Sequence, residues 1–245
     1  MIHIITNHHK TDMWIDLQIS QIKKHISEYL VWSYSSGFDI SKHQKKFHYL
    51  KNHTPRTGEA FGGYLNHMLK LNSLTEIVLN DTNTKEDDIL IWLDSDAFPI
   101  ANINNYIDNK LSVFPLIAIV RPENGGDIIP HPSFTCSTVA FWKKNKLNWN
   151  GIPGKDTAIN NFGLHDPGGE LYETLRKKNI NWFRLKRTKS LTEHQVFFTI
   201  YDNIIYHHGA GSRAKPCCRG GNFGVNFDSV KMYEKICDQI NKNLL

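Results

Sequence analysis

The sequence predicts an α/β fold: a single domain in which helices flank a mainly parallel central sheet. Short apolar runs of strand length alternate along the chain with longer segments whose apolar residues recur at helical spacing. The chain has 245 residues, of which 40% are hydrophobic, and this is enough for one sizeable core. No internal repeat or low-complexity linker divides the sequence, so residues 1–245 are interpreted as one domain.

The first half of the chain begins with the apolar run Ile2–Thr6, a strand. Asp12–Ile26 is predicted to be a helix because its isoleucines recur every three or four residues. Leu30–Tyr34 is a second apolar strand. Lys42–Pro55 is polar and rich in histidine, which indicates a loop or a short irregular helix. Thr57–Leu71 has helical spacing, although two internal glycines weaken it.

The middle of the chain contains three apolar runs that predict strands. They are Asp88–Leu93, Leu116–Val120 and Thr135–Trp142. Glycine and proline in Trp149–Pro167 indicate a long loop, and Gly169–Lys178 is predicted to be helical.

The last part of the chain holds two short predicted strands, Trp182–Lys186 and Asn203–Tyr206. Gly209–Asn226 is glycine-rich and basic, which predicts a loop. Ser229–Leu244 closes the chain as an amphipathic helix with its apolar residues on one face.

Charge and cysteine content narrow the classes of function. The formal charge is +5 and the pI is near 8.9, which suits phosphorylated small molecules, but no long Lys/Arg run indicates a nucleic-acid partner. The four cysteines show no paired spacing of a zinc site. The N-terminus lacks a signal-peptide layout and no apolar stretch is long enough for a transmembrane segment, so we expect a cytoplasmic protein.

The stretch "ILIWLDSDAFPI" (Ile89–Ile100) is the most informative segment. A buried strand ends in two carboxylates, Asp94 and Asp96, one residue apart. Such a pair is common in turns, where Asp bonds its own backbone. At the end of a strand, however, two close carboxylates repel each other unless a cation lies beside them. Oxygen ligands at this spacing suit Mg²⁺ or Mn²⁺, which could hold a diphosphate.

An N-terminal strand followed in mid-chain by an apolar strand and D-x-D-x-x-P resembles the GT-A (Rossmann-like) class of nucleotide-sugar-dependent glycosyltransferases. The resemblance covers most of the chain in layout and a few residues in detail. It implies that Asp96 binds Mn²⁺ or Mg²⁺ and that Asp94 contacts the donor ribose or the ion's water shell. We therefore count Asp94 and Asp96 as metal residues, and Asp94 and Ser95 as donor contacts. Residues 1–120 would bind the nucleotide sugar, residues 121–226 the acceptor, and residues 227–245 would form a closing helix.

The segment "IIYHHGAGSRAKP" (Ile204–Pro216) supplies a third metal-ligand candidate, since members of this class often use a histidine near the end of the domain. His208 is preferred because it begins H-x-x-G, and His207 is the alternative. Arg213 and Lys215 could then bind the diphosphate. As plain chemistry, the same segment could be a glycine-rich surface loop with incidental charges.

Two further segments are candidate walls of the donor site. Thr6, Asn7 and His8 follow the first strand, where this class contacts the nucleotide; the alternative is a set of solvated turn residues. In "TPRTGEAFGGYLNH" (Thr54–His67), the glycines allow close backbone approach and Arg56 could meet a phosphate.

Asp166 is the candidate catalytic base, because an inverting transferase needs a carboxylate to take the acceptor's proton. Asp166 would alternatively cap a helix, with Pro167 at its first position. Asp156 is the reserve candidate. His208, Gly211, Lys215 and Pro216 also resemble a segment of retaining enzymes, so both stereochemical outcomes stay open.

The donor would be a UDP, GDP or dTDP sugar and the acceptor a glycan or glycolipid. Two other functions compete. "ILIWLDSDAF" also resembles the nucleophile motif of haloacid-dehalogenase-type phosphatases, with Asp94 attacking phosphorus, although Phe98 replaces the usual Thr or Val. A non-catalytic sugar-nucleotide or glycan-binding module would use some of the six tryptophans as stacking faces.

Overall fold

The computed structural model describes residues 1–53, 63–122, 126–152, 166–191, 197–209 and 229–242. The strands are β1 (Ile2–His9), β2 (Tyr29–Ser36), β3 (Tyr49–Asn52), β4 (Ile89–Asp94), β5 (Ala97–Pro99), β6 (Leu116–Arg121), β7 (Asp127–Thr138), β8 (Phe183–Leu185), β9 (Arg187–Ser190), β10 (Thr199–Tyr201) and β11 (Ile205–His207). The helices are α1 (Ile15–His25), α2 (Gly63–Asn80), α3 (Asn104–Leu111), α4 (Val139–Asn145), α5 (Gly169–Lys177) and α6 (Ser229–Asn241), with a 3₁₀ helix at Ser41–Lys46.

The main sheet of the described residues has seven strands in the order β3-β2-β1-β4-β7-β6-β8. Strands β1 to β4 run parallel, whereas β7 is antiparallel to both of its neighbours and β6 is parallel to β8. The carboxyl ends of β1, β2 and β4 therefore meet at one edge of the sheet. The predicted α/β fold with a mainly parallel sheet is confirmed.

Apolar residues cover both faces of this sheet because neighbouring positions along each strand point to opposite sides. One face carries Ile4 and Ile91 against α1 and α3. The other face carries Ile5 and Trp92 against α2, α4 and α5. This two-sided burial explains why the strands read as continuous apolar runs in the sequence.

A second, antiparallel sheet joins distant parts of the chain in the order β5-β11-β10-β9. Strand β5 follows directly on the D-x-D segment, and its residue Phe98 packs against Tyr206 of β11. Phe98 and Tyr206 form a third apolar cluster with Trp14 and with Ile236 of α6. The small sheet thereby ties the end of β4 to the last described strand.

The structure corrects several predicted elements. The predicted strand Thr135–Trp142 is wrong in its second half, because the Thr138 side chain accepts a hydrogen bond from the Phe141 N–H and begins α4. Strand β3 lies within the polar segment that was predicted to be a loop. Strands β5, β9 and β10 were not predicted, since three or four residues are too few to show a period. Helix α3, of eight residues, was not predicted either. Helix α2 extends to Asn80 rather than ending at Leu71.

No helix among the described residues is long and apolar enough to cross a membrane.

Candidate functional site

One side chain of α1, Gln18, holds the backbone of the D-x-D turn by hydrogen bonds. Gln18 is fully buried, and its Nε2 donates to the carbonyl oxygens of Asp94, at 2.7 Å, and of Ala97, at 2.8 Å. The Oε1 of the same residue accepts from the Thr6 hydroxyl at 3.4 Å. The backbone on both sides of Asp96 is therefore fixed before any ligand binds, which is the preorganisation that a metal site needs.

Pairing of β11 with β5 brings His207 to the same turn. His207 lies opposite Ala97 in the register of the two strands. Its Nε2 is 3.7 Å from Asp94 Oδ2 and 3.7 Å from Asp96 Oδ1. One ligand atom from each of Asp94, Asp96 and His207 lies within 4.8 Å of the others. These separations are too long for hydrogen bonds but fit three ligands around one cation.

His208, the histidine that the H-x-x-G spacing favoured, does not belong to this group. Its ring is fully buried between Trp14, at 4.5 Å, and Phe198, at 4.6 Å. Its Nδ1 is 2.9 Å from the Tyr206 hydroxyl. Its backbone N–H donates to the Asp96 carbonyl at 3.0 Å. The geometry therefore places His207, the alternative, at the carboxylates.

Asp94 is oriented by a two-residue relay from the opposite side. Asn7 Nδ2 donates to His67 Nδ1 at 2.8 Å, which leaves the ring proton of His67 on Nε2. That Nε2 lies 3.2 Å from Asp94 Oδ1. Asn7, predicted to contact the donor, thus acts within the protein on Asp94, because β1 and β4 place the two residues side by side.

His131 of β7 completes a ring of imidazoles around Asp94. Its Nδ1 is 3.9 Å from Asp94 Oδ2, and its ring centre is 5.7 Å from that of His207. The backbone N–H of Ser133 donates to this nitrogen at 3.1 Å, and the Ser133 hydroxyl oxygen lies 2.7 Å from it. The proton of a neutral His131 is therefore on Nε2.

Burial and charge set the protonation of these groups. Burial alone would raise the pKa of Asp94, but the hydrogen bond and charge of His67, helped by the other imidazoles, hold it below its ordinary value of 3.8. Burial lowers the pKa of His207 below its ordinary 6.5, although Asp96 and Asp94 oppose this. Near neutral pH Asp94 is therefore a carboxylate and His207 a neutral imidazole, which are the ligand forms of these side chains.

The charge of Asp166 acts on a buried ion pair between Arg121 and Asp127. Asp127 accepts from Arg121 at 2.9 Å, and burial, with a contribution from the charge of Asp166, raises the pKa of Asp127. The interpretation of Asp166 as a helix cap is wrong. Gly168 is the N-cap of α5, with φ of 100°, and a Cβ there would lie 2.4 Å from the Pro130 carbonyl oxygen. Gly168, two residues after Asp166, therefore packs closely on β7.

Three other residues predicted to contact the donor, Thr6, His8 and Ser95, differ in their exposure. Thr6 and His8 are fully buried, and His8 packs edge-on against Phe47 at 5.9 Å. Burial first, then the charge of His43, lowers the pKa of His8 to about 3, against the opposing effect of Asp12. Ser95 is partly exposed in the acidic turn.

Arg56, Asp156, Arg213 and Lys215 lie outside the described residues.

All six tryptophans are buried, with exposures from 0% to 3%. Trp92, Trp142 and Trp149 stack together in the core, with ring centres 4.1 to 5.9 Å apart. None offers a face to a sugar. The observation that motivated a glycan-binding module is therefore explained by core packing.

Sequence reasoning missed His67 and His131. His67 closed the glycine-rich segment that was considered a donor wall, but nothing local connected it to Asp94. His131 lies 37 positions from Asp94 along the chain, and only the antiparallel pairing of β7 with β4 brings the two strands together. A signal that could have been used is the content of 13 histidines, which is high for 245 residues.

Comparison with known proteins finds likeness to solved structures alone. No protein-family model and no curated protein matches the sequence. Among solved structures, the chain is similar to the glycosyltransferase GlyE of Streptococcus pneumoniae TIGR4, with 11% identity, a TM-score of 0.39, and coverage of 59% of this chain and 36% of GlyE. The apo form of GlyE gives 11% identity and a TM-score of 0.44, with 76% of this chain and 44% of GlyE covered. The chain thus spans less than half the length of GlyE.

A second solved relative matches the chain over more of its length. An active-site mutant of LgtC gives 8% identity and a TM-score of 0.45, covering 98% of this chain and 96% of LgtC. The galactosyltransferase LgtC in complex with donor and acceptor sugar analogues gives 10% identity and a TM-score of 0.40, with 75% and 67% covered. GlyE is named a glycosyltransferase and LgtC a galactosyltransferase.

Proposed function

We propose that the chain is a metal-dependent glycosyltransferase that moves a sugar from a nucleoside-diphosphate donor to a hydroxyl acceptor. The observation that carries the proposal is the cluster of Asp94, Asp96 and His207 at the carboxyl end of β4. In open α/β sheets ligands bind beyond this edge. A pure binding module would not require such a set of metal-type ligands.

The donor set fits Mn²⁺ or Mg²⁺. Two carboxylates and one imidazole suit a hard or borderline cation, and thiolates, which would favour zinc, are absent from the cluster. The Nδ1 of His207 is buried and has no hydrogen-bond partner among the described residues, so Nε2 is the nitrogen that faces the carboxylates. When bound, the cation would offset the negative charge of the departing diphosphate.

The protein's own residues orient the cluster. Gln18 fixes the backbone of the acidic turn, and the Asn7–His67 relay fixes the direction of the Asp94 carboxylate. Ligands held in this way lose little freedom when a cation binds, because their rotamers are already selected. Arg56, Arg213 and Lys215 remain candidate phosphate contacts, and Ser95 a candidate donor contact.

We propose Asp166 as the base of an inverting reaction. The acceptor hydroxyl would give its proton to the Asp166 carboxylate as its oxygen bonds to the anomeric carbon. The bond from that carbon to the diphosphate oxygen would break on the opposite face, and the electron pair would leave with the diphosphate. The effect of the Asp166 charge on Asp127 of β7, the strand that also carries His131, supports this role. A retaining reaction would not need Asp166, and the donor base and acceptor class remain part of the proposal: UDP, GDP or dTDP, and a glycan or glycolipid.

Calorimetric titration tests the proposal directly. UDP, GDP and dTDP are titrated into the purified chain with Mn²⁺ and again with EDTA, using wild type, Asp96→Ala and the exposed-carboxylate control Asp238→Ala. We expect one nucleotide to bind in the micromolar range only with Mn²⁺, and Asp96→Ala alone to abolish the binding. Absence of binding by all three nucleotides with Mn²⁺ would contradict a donor site at this cluster.

A further inference from the structure

A buried lysine of α2 lies at the edge of the sheet where β2 ends. Lys70 of α2 is only 3% exposed. Its Nζ donates to the Ser36 hydroxyl, at the end of β2, at 2.8 Å. Among the described residues, no Asp or Glu lies within ion-pair distance of it. A buried ammonium that meets only a neutral hydroxyl costs free energy, because its hydration has been removed without a counter-charge.

The proton arrangement around Ser36 leaves donors available. The Ser36 oxygen is also 2.9 Å from His9 Nδ1. Lysine can only donate, so the Ser36 oxygen accepts from Lys70, and its own hydroxyl proton is available to His9 Nδ1. When Ser36 donates to this nitrogen, a neutral His9 carries its ring proton on Nε2. Two ammonium protons of Lys70 and the Nε2 proton of His9 are thus not used by these bonds.

A tight crossing of two strand ends brings another cation to this cluster. The backbone N–H of Lys10 donates to the Ser36 carbonyl at 2.8 Å, with Lys10 in the left-handed region at φ of 66°. Gly37 faces it at φ of 90°, and a Cβ there would lie 3.2 Å from Lys10 Cα. Burial, and then the charges of Lys70, Lys10 and His67, all lower the pKa of His9. Positive groups therefore converge at this edge of the sheet.

We propose that Lys70, Ser36 and His9 form a binding site for an oxyanion, a phosphate or carboxylate group carried by a ligand. The carboxyl ends of β1 and β2, where the three residues lie, are an edge at which parallel sheets bind ligands. The anion would receive charge-assisted hydrogen bonds from Lys70 and from His9. This site needs no metal ion and shares no residue with the cluster of Asp94, Asp96 and His207, so it stands independently of the proposed transferase activity.

Binding of inorganic phosphate and of acetate, in EDTA and at constant ionic strength, tests this site. The ring nitrogens of His9 are followed by NMR, and the melting temperature is measured in parallel. The variants are Lys70→Met, which keeps the length of the side chain, and Lys70→Arg, which keeps the charge. Lys51→Met on β3 is the matched control, because Lys51 is an exposed lysine on the neighbouring strand.

We expect a saturable shift of His9 in the wild type and in Lys51→Met, and binding weakened about tenfold or more in Lys70→Met by loss of a charge-assisted hydrogen bond. Without phosphate, Lys70→Met should melt at a higher temperature than wild type, because the unpaired buried charge is gone. With phosphate, only chains that keep a cation at position 70 should gain stability. Stronger effects of phosphate than of acetate would identify a phosphate site, and the reverse a carboxylate site.

Equal phosphate and acetate affinities of Lys70→Met and wild type would overturn the proposal, as would the absence of a saturable His9 shift with both anions. If Lys70→Met does not fold, the wild-type titration and Lys70→Arg still decide the question. Loss of this binding would leave the metal-dependent nucleotide titration unaffected. Failure of one proposal is therefore distinguishable from failure of the other.

Discussion

Replacing His67 by alanine should weaken Mn²⁺ binding without removing any atom that contacts the ion. His67 Nε2 is 3.2 Å from Asp94 Oδ1, and Asn7 holds the other ring nitrogen at 2.8 Å. Without this bond the Asp94 carboxylate can rotate, and the cation must select the productive rotamer when it binds. His67 therefore acts through Asp94 as a positioning residue.

The magnitude follows from the place of His67 behind a ligand. Loss of such an outer partner typically costs about 10- to 100-fold in metal affinity, or about 1.4 to 2.8 kcal/mol. The side chains of His67 and Asp94 are 24% and 18% exposed, so water can partly replace the lost donor. We therefore expect the lower part of that range.

The assay is the loss of the free Mn²⁺ signal in electron paramagnetic resonance on titration with protein, which reads metal affinity without enzymatic turnover. His67→Gln, whose amide can still donate, should recover part of the affinity. His48→Gln, a change of a surface-exposed histidine, is the matched control and should bind as wild type does.

The relay also predicts a double-mutant cycle. Asn7→Ala alone should weaken Mn²⁺ binding less than His67→Ala, and adding it to His67→Ala should have little further effect, since Asn7 acts through His67. Additive losses would show that Asn7 touches the ion or the ligand directly. An unchanged affinity in folded His67→Ala would refute the reasoning altogether.

Three other changes test the structure. His207→Ala should reduce Mn²⁺ affinity more than His67→Ala does. His208→Ala should leave Mn²⁺ affinity intact but lower the free energy of unfolding by about 1–3 kcal/mol, because it leaves the Tyr206 hydroxyl unpaired. The reverse pattern would restore His208 as the ligand. Gly168→Ala should destabilise the chain by at least about 1–3 kcal/mol in urea unfolding, because a side chain there is strained and meets Pro130; a wild-type midpoint would contradict that contact. The hydrogen bonds from Lys42, which has the larger effect, and from His43 lower the pKa of Asp12 from 3.8 to about 2. Asp12→Asn should therefore be less stable than wild type above pH 3.8, and the difference should vanish as the pH falls through about 2. A difference that does not change with pH would show that charge is not the cause.

The sequence predicted the parts of the molecule whose physical cause is local. Burial determines the residue types along the whole of an element, so it is visible in the sequence. It explains the apolar runs of β1, β4 and β6 and the helical spacing of α1 and α5. The acidic pair was visible because strand and carboxylates are contiguous. Short strands such as β5 and β10 were missed because their pairing partners, rather than their own residues, make them strands.

The surroundings of the acidic pair were unpredictable for the same reason. His67, His131 and Gln18 come from two helices and an antiparallel strand, and no spacing in the sequence relates them to Asp94. Their convergence depends on strand order, since β1 and β7 flank β4 and the helices cover the sheet between them. A motif search finds a ligand candidate, whereas the groups that orient it become visible only with the topology.

The alternation of side chains along β11 determines whether His207 or His208 faces the carboxylates. Both residues fit the sequence pattern, and both adjoin the glycine-rich segment. Along β11, however, neighbouring side chains point to opposite faces of the small sheet. The register that sets Tyr206 against Phe98 and His207 against Ala97 sends Tyr206 and His208 into the apolar cluster with Trp14, and leaves His207 facing the carboxylates. A shift of one residue in that register would exchange the two histidines, so the packing of Phe98 on Tyr206 selects which imidazole faces the carboxylates.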